Sequence, residues 1–187
     1  ANGCSGDPVE VRVNINPIPD VVVTPTSETI CSGTSTNISF TGSISGTVFN
    51  WTVVQSGVTG ATSGTGTSIQ QTLVTTSLIS SGTATYTITP VLNGCSGTPV
   101  DVIVTVNPTP EILGTPTHLP ICSGEFTNIN VSAMDPATVF DYTVSAVGVT
   151  GATGGTITAG APIAQQLETI SNSQGYVDYT IIPTLNG

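Results

Sequence analysis

Few residues in this chain could do covalent or metal chemistry. There are four cysteines (Cys4, Cys31, Cys95 and Cys122), one histidine (His118), one cation of fixed charge (Arg12), no lysine, and eleven carboxylates, for a formal net charge of -10. Covalent hydrolysis needs a nucleophile with a base beside it, and zinc catalysis needs converging His, Cys or carboxylate ligands. A single His118 without lysine or a second histidine supplies neither, so the chain reads as not an enzyme and calls for no cofactor. Phosphate recognition draws on clustered Lys and Arg, which excludes nucleic acid and anionic membrane surfaces as partners. With 6% charged residues, the surface must be a neutral coat of Thr, Ser and Asn, and 37% hydrophobic residues are enough for packed cores rather than disorder.

The spacing of the cysteines exposes the organisation. Shifting the chain by 91 residues lays Asn2-Gly3-Cys4-Ser5-Gly6 on Asn93-Gly94-Cys95-Ser96-Gly97 and Ile30-Cys31-Ser32-Gly33 on Ile121-Cys122-Ser123-Gly124. It also brings Gly57-Val58-Thr59-Gly60-Ala61-Thr62 onto Gly148-Val149-Thr150-Gly151-Ala152-Thr153. A fixed period of this length marks tandem domains. The offset later drifts, so that Tyr86-Thr87-Ile88 corresponds to Tyr179-Thr180-Ile181, and a loop of variable length is expected near residues 63 to 68 and 154 to 162. In this frame residues 1-17 are the last strand of a preceding repeat, 18-107 a complete repeat, and 108-187 a second repeat lacking its last strand. No apolar run is long enough to span a bilayer and residues 1 to 20 lack the pattern of a signal peptide, so an internal piece of a longer chain is expected.

The elements that must position these residues are strands. Val100, Val102, Val104 and Val106 alternate with Asp101, Ile103 and Thr105, and Val9, Val11, Val13 and Ile15 do the same, giving half-buried last strands. Earlier strands are expected at Val21 to Thr24, Asn37 to Thr41, Val48 to Val54, Ile69 to Val74 and Thr83 to Thr89. Gly, Ser and Pro clusters separate them at sandwich spacing. The fold class is therefore all-β, with about seven antiparallel strands per repeat. The link Val106-Asn107-Pro108-Thr109-Pro110 has two prolines and no glycine, which predicts a stiff junction.

Cys-Ser-Gly before the second strand, Phe49-Asn50-Trp51-Thr52-Val53, Tyr86-Thr87-Ile88-Thr89-Pro90, Asn93-Gly94-Cys95-Ser96-Gly97 and a closing Val-Asn-Pro together carry a family resemblance. The chain resembles the PKD-like, immunoglobulin-like repeats of large Bacteroidota surface and secreted proteins, including gliding-motility adhesins and proteins exported by the type IX pathway. It departs from PKD domains proper in having Trp51-Thr52-Val53-Val54 where those carry Trp-Asp-Phe-Gly-Asp-Gly. The resemblance implies a β-sandwich, an extracellular or cell-surface location, and a role in reach or adhesion. It transfers no catalytic or ligand residue.

Four cysteines in a chain of secreted type suggest disulfides. Cys4 is equivalent to Cys95 and Cys31 to Cys122, so each bond should join one of each kind. Cys31 with Cys95 is the obvious pairing, but alternating strands put their loops at opposite ends, roughly 26 Å apart, whereas a disulfide needs Cα atoms within about 7 Å. A bond across each junction, from Cys31 to the cysteine expected just after Gly187, is the second arrangement, and free thiols are the third.

The remaining candidates have plain readings beside functional ones. Phe49, Trp51, Tyr86, Phe140, Tyr142 and Tyr179 fit core aromatics, with a sugar-stacking platform built on Trp51 and Tyr142 as the alternative. Asp135 and Asp141 bracket a loop and could offer oxygens to Ca²⁺, but Ile44 and Asn50 replace them in the other repeat. Ser27 replaces His118. Asn37, Asn50 and Asn130 fit the glycosylation acceptor pattern, which a bacterial export route leaves without meaning. Three functions follow: a structural segment of an adhesin, stalk or filament whose partners are neighbouring repeats or identical chains; a module for surface glycans; or a fibre subunit that donates residues 4-16 as a strand.

Overall fold

The computed structural model describes residues 3, 6–114, 116 and 118–185. Every element in it is a strand, as the β-branched composition requires, so no helix among the described residues is long and apolar enough to cross a membrane. In the first repeat the larger sheet runs, edge to edge, Ser27–Cys31, Val100–Asn107, Gly82–Leu92, Val48–Ser56 and Gly64–Thr65, with Cys95–Ser96 also paired to Gly82–Leu92. Val22–Thr24, Ile38–Thr41 and Ser68–Ile69 form the facing sheet. Thr34–Ser35, Thr72–Thr75 and Val58–Thr59 close one end. The architecture matches an immunoglobulin-like sandwich.

Alternation decides which side chains fill it. Along Gly82–Leu92 every second residue is buried, and along Val100–Asn107 the buried set is Val102, Val104 and Val106. These pack with Ile38, Phe40, Phe49, Trp51, Ile69 and Leu73 in one core, where the Phe40 ring lies tilted 5.8 Å from Trp51 and 6.0 Å from Phe49. Two of the recurring motifs have backbone causes. Asn93 and Gly94 both take positive φ and make the two-residue turn that returns Gly82–Leu92 to Cys95–Ser96. Gly60 and Gly151 have φ near +100° and +93°, and a Cβ there would collide with the carbonyl oxygens of Thr72 and Gln166.

The second repeat has the same plan with less of it formed. Gly155–Thr158, Val139–Val147 and Tyr176–Thr184 make its larger sheet, and Ile112–Leu113 with Ser132–Ala133 and Ile129–Asn130 with Pro162–Ile163 make the opposing ladders. Its buried cluster comprises Ile129, Val131, Phe140 and Ile163, against fifteen residues in the first repeat. The cause is the outer edge of Tyr176–Thr184, where no described strand stands in the place that Val100–Asn107 occupies in the first repeat. The extra residues of this repeat fall in the turn between Gly155–Thr158 and Pro162–Ile163, inside the expected variable loop.

Three expectations need correction. Val9, Val11, Val13 and Ile15 are not in a half-buried strand: residues 6–21 form none, and these side chains are 75–90% exposed because no sheet edge lies beside them. Ser27–Cys31 is a strand rather than a loop, and it pairs with Val100–Asn107 in parallel, so the sheet is not wholly antiparallel. The strand expected at Ile69 to Val74 is two short ones, because the chain crosses between ladders at Gln70 and Gln71.

Because the second core is small, it should unfold first. Trp51, the only tryptophan, reports the first repeat. In denaturant titrations of dilute protein, the far-ultraviolet circular dichroism of both repeats is expected to begin falling at lower denaturant than Trp51 fluorescence, and coincident curves would show equal stability.

Candidate functional site

A polar pin crosses each core. In the first repeat the Tyr86 hydroxyl donates to Gln71 Oε1 at 2.8 Å, the same oxygen accepts from the Thr62 amide at 2.9 Å, and Gln71 Nε2 donates to the Thr62 carbonyl at 2.9 Å. Buried Thr36 donates its hydroxyl to the Ile69 carbonyl at 3.0 Å and accepts from the Gln71 amide at 3.0 Å. The second repeat repeats it with Tyr179, Gln165, Thr153, Thr127 and Ile163. Sequence reasoning took Tyr86 and Tyr179 as apolar packing and missed the glutamines. Their recurrence just before Leu73 and Leu167 was the available signal. Such groups satisfy one another's buried polar atoms and fix the register of the chain crossing between the sheets.

Of the other aromatics, Phe49, Trp51 and Phe140 are buried, and Trp51 Nε1 donates to the Thr62 carbonyl at 3.0 Å. Tyr142 and Tyr179 are half-buried with rings 6.2 Å apart. No pair of these rings stands free as a stacking platform. Asp135 caps the turn to Ala137, and Asp141 accepts from Thr156 across the sheet at 2.7 Å, so the two carboxylates serve separate local bonds. No three metal-ligating side chains converge among the described residues.

The cysteines lie at the ends of the repeats. Cys31 is opposite Asn107 at the end of the last strand, and Cys95 precedes the start of that strand. Eight residues of Val100–Asn107 therefore separate the two levels by roughly 26 Å, which rules out the Cys31–Cys95 bond. Cys31, Cys95 and Cys122 are free thiols, and Cys4 lies outside the described residues.

Around these ends the repeats are tied to their linkers. The Ser32 amide donates to the Asn107 carbonyl at 2.8 Å, Thr109 Oγ1 donates to the Ser32 carbonyl at 3.2 Å, and Pro108 is buried. A cleft of about 190 Å³ beside it is lined by Ile79, Ser81, Asn107, Pro108, Asp135 and Leu185 among others. At the opposite end Asn16 Nδ2 donates to the Asn93 carbonyl at 3.3 Å and Pro19 is buried. Asp20 Oδ1 accepts from the amide and hydroxyl of Ser43, each at 2.8 Å, which lowers its pKa.

A groove of about 680 Å³ lies in the second repeat. Its walls are residues 118–123 on one side and Tyr176–Tyr179 with Ile181 on the other, and its floor includes Thr127, Ile129 and Leu167. His118 stands exposed on its rim.

The fold is that of an immunoglobulin-like all-β module, and comparison with known families agrees: residues 28–110 match the family model described as a PKD-like domain. The match supports a PKD/Ig-like repeat and ends just past the Asn107-Pro108 link. No curated protein matches the chain.

Burial pushes the Tyr86 hydroxyl up to about 12, with the Glu28 carboxylate adding to the effect. Between the ordinary value of 10 and about 12 the folded chain keeps a proton that the unfolded chain loses. Stability of the first repeat is therefore expected to be insensitive to this group below pH 10 and to fall as pH rises from 10 towards 12. Denaturant midpoints read by Trp51 should show this fall, and Tyr86→Phe should flatten it; an unchanged slope in the variant would contradict the assignment.

Proposed function

We propose that this chain is a structural repeat segment of an extracellular adhesin, stalk or filament, giving stiff reach from a cell surface, with no catalysis of its own. The observation that carries the reading is the linkers: each end of the first repeat is held to its flanking proline-containing segment by side-chain and backbone hydrogen bonds, as Thr109 and Asn16 show. A bonded, proline-restricted link transmits orientation from one sandwich to the next, whereas a Gly/Ser linker would not. The PKD-like match supports an extracellular module. The Bacteroidota gliding or type IX setting belongs to the same proposal and rests on the motif resemblance. In this reading the glycan alternative is the weaker, because Trp51 is buried and Tyr142 half-buried, so these two rings form no open platform.

Small-angle scattering of dilute monomer tests it. Two sandwiches in line, each about 35 Å along its strands, give a maximum dimension of roughly 70 Å, and replacing Pro108 and Pro110 with glycine should broaden the distance distribution. Wild-type scattering that already fits a freely hinged pair would reject the stalk.

The cysteines extend the reading. Cys31 lies beside Asn107, while Cys95 follows the Asn93 turn that Asn16 touches, so thiols of the two kinds approach a junction from either side. A disulfide between Cys31 and the Cys95-type cysteine of a following repeat, formed with loss of two protons and two electrons to dioxygen or an exchanging disulfide, would stiffen the link. Peptide mapping of an oxidised three-repeat chain is expected to recover that cross-link. Recovery of free Cys31 would contradict it.

A further inference from the structure

The chain enters and leaves the first repeat at opposite ends. It arrives at Pro19 and Asp20, where Gly97 lies so close that a Cβ would collide with the Pro19 carbonyl and Ser43 donates two hydrogen bonds to Asp20 Oδ1. It departs at Asn107, the last residue of Val100–Asn107, a strand that spans roughly 26 Å from the entry level to the exit. After entry, Val22–Thr24 runs antiparallel to Ile38–Thr41. The chain then crosses to the larger sheet, where Ser27–Cys31 runs parallel to the exit half of Val100–Asn107, with Ser27 beside Ile103 and Cys31 beside Asn107.

That parallel pairing decides how tension acts on the repeat. A pull along the chain draws Ser27–Cys31 back towards the entry and Val100–Asn107 out through the exit, so the two strands are dragged past one another along their length. Hydrogen bonds between strands lie across that direction, and they must yield together. Antiparallel neighbours pulled apart at one end would instead lose their bonds in turn. The other edge of Val100–Asn107 is paired with Gly82–Leu92 from Gly82 opposite Val106 to Ile88 opposite Val100, and the same pull loads that ladder in shear as well.

The sheared strands are also fastened against peeling. At the exit the Ser32 amide donates to the Asn107 carbonyl at 2.8 Å, and Ser81 Oγ donates to Asn107 Oδ1 at 2.8 Å. Near the start of Ser27–Cys31 the Glu28 carboxylate accepts from the Asn37 amide at 3.2 Å, and Ser39 Oγ donates to the Thr24 carbonyl at 3.2 Å. Val102, Val104 and Val106 are fully buried and key the pulled strand into the core.

We propose that the first repeat is a load-bearing module whose clamp is the pairing of Ser27–Cys31 with Val100–Asn107, resisting tension in shear. The clamp rests on the stalk reading for the direction of pull and adds a separate property: reach needs stiffness against bending, whereas a tether must resist extension.

Single-molecule pulling on the 187-residue chain by its two ends tests the clamp. Release of Asp20 to Asn107 adds roughly 280 Å of contour, which identifies the event. Glu28→Pro takes one of the five paired residues out of the parallel ladder and should lower the force of that event by roughly a fifth or more. Leu73→Ala opens a fully buried core position outside the ladder. Because forced unfolding is governed by the barrier rather than by equilibrium stability, Leu73→Ala should lower the denaturant midpoint read by Trp51 more than Glu28→Pro does, and the rupture force less. Direction of pull supplies a second test that leaves the ladder intact. With the native cysteines replaced by serine, attachment through Ser80→Cys and Glu111→Cys, both at the exit end, should open the Gly82–Val106 end of the antiparallel pair at no more than about half the end-to-end force. Equal forces in the two directions, or a Glu28→Pro chain with wild-type Trp51 fluorescence that ruptures at the wild-type force, would overturn the proposal. If Glu28→Pro does not fold, the direction of pull decides alone. A rod in scattering that ruptures at the same force in either direction would sink the clamp and leave the stalk reading standing, whereas a freely hinged chain with direction-dependent rupture would do the reverse.

Discussion

Each sandwich depends on its last strand. Val100–Asn107 is hydrogen-bonded on both edges, antiparallel to Gly82–Leu92 and parallel to Ser27–Cys31, and it drives three valines into the centre of the core. Fully burying an aliphatic side chain contributes about 1.5–3 kcal/mol, and satisfying two strand edges removes a row of backbone groups that would otherwise need water. Where that strand is present the core reaches from Val23 to Val106; where none is described, the cluster is four residues. Among the described residues the edge strand Ser27–Cys31 has no equivalent in the second repeat, where residues 118–121 have no described last strand beside them. Pro120 also stands where Thr29 would donate.

The same strand ties structure to proposed function. Its end delivers Asn107 to Ser32 and hands the chain to Pro108 and Thr109, so the element that completes one core also sets the direction of the next. A repeat built this way buries a larger core when its last strand is in place, and the same strand sets the start of its junction. In the proposed reading, one strand thus serves both the core and the link to the next domain.

Much of the fold was legible in the sequence because two signals are strong there. The 91-residue recurrence and the alternation of Val102, Val104 and Val106 each follow from geometry that tolerates little variation, and Asn93-Gly94 is a turn with a backbone reason. The strand Ser27–Cys31 was missed because it is a polar, half-covered edge whose alternation is weak. Gln71 and Gln165 were missed because a residue's type does not reveal that its side chain turns inward to meet a tyrosine. The exposure of Val9 to Ile15 could not be read from alternation, which says which face of a strand would be buried and nothing of whether a neighbour is there to bury it.

The dependence on the last strand is open to residue-resolved amide hydrogen exchange on dilute monomer. Amides of Gly82–Leu92 should be slow along both edges, since Val48–Ser56 and Val100–Asn107 cover them. Amides of Tyr176–Thr184 that face Val139–Val147 should be slow, and those on the opposite edge should exchange at rates close to those of an unprotected chain. Equal protection on both edges of Tyr176–Thr184 in the monomer would contradict the claim that the last strand is what completes the repeat.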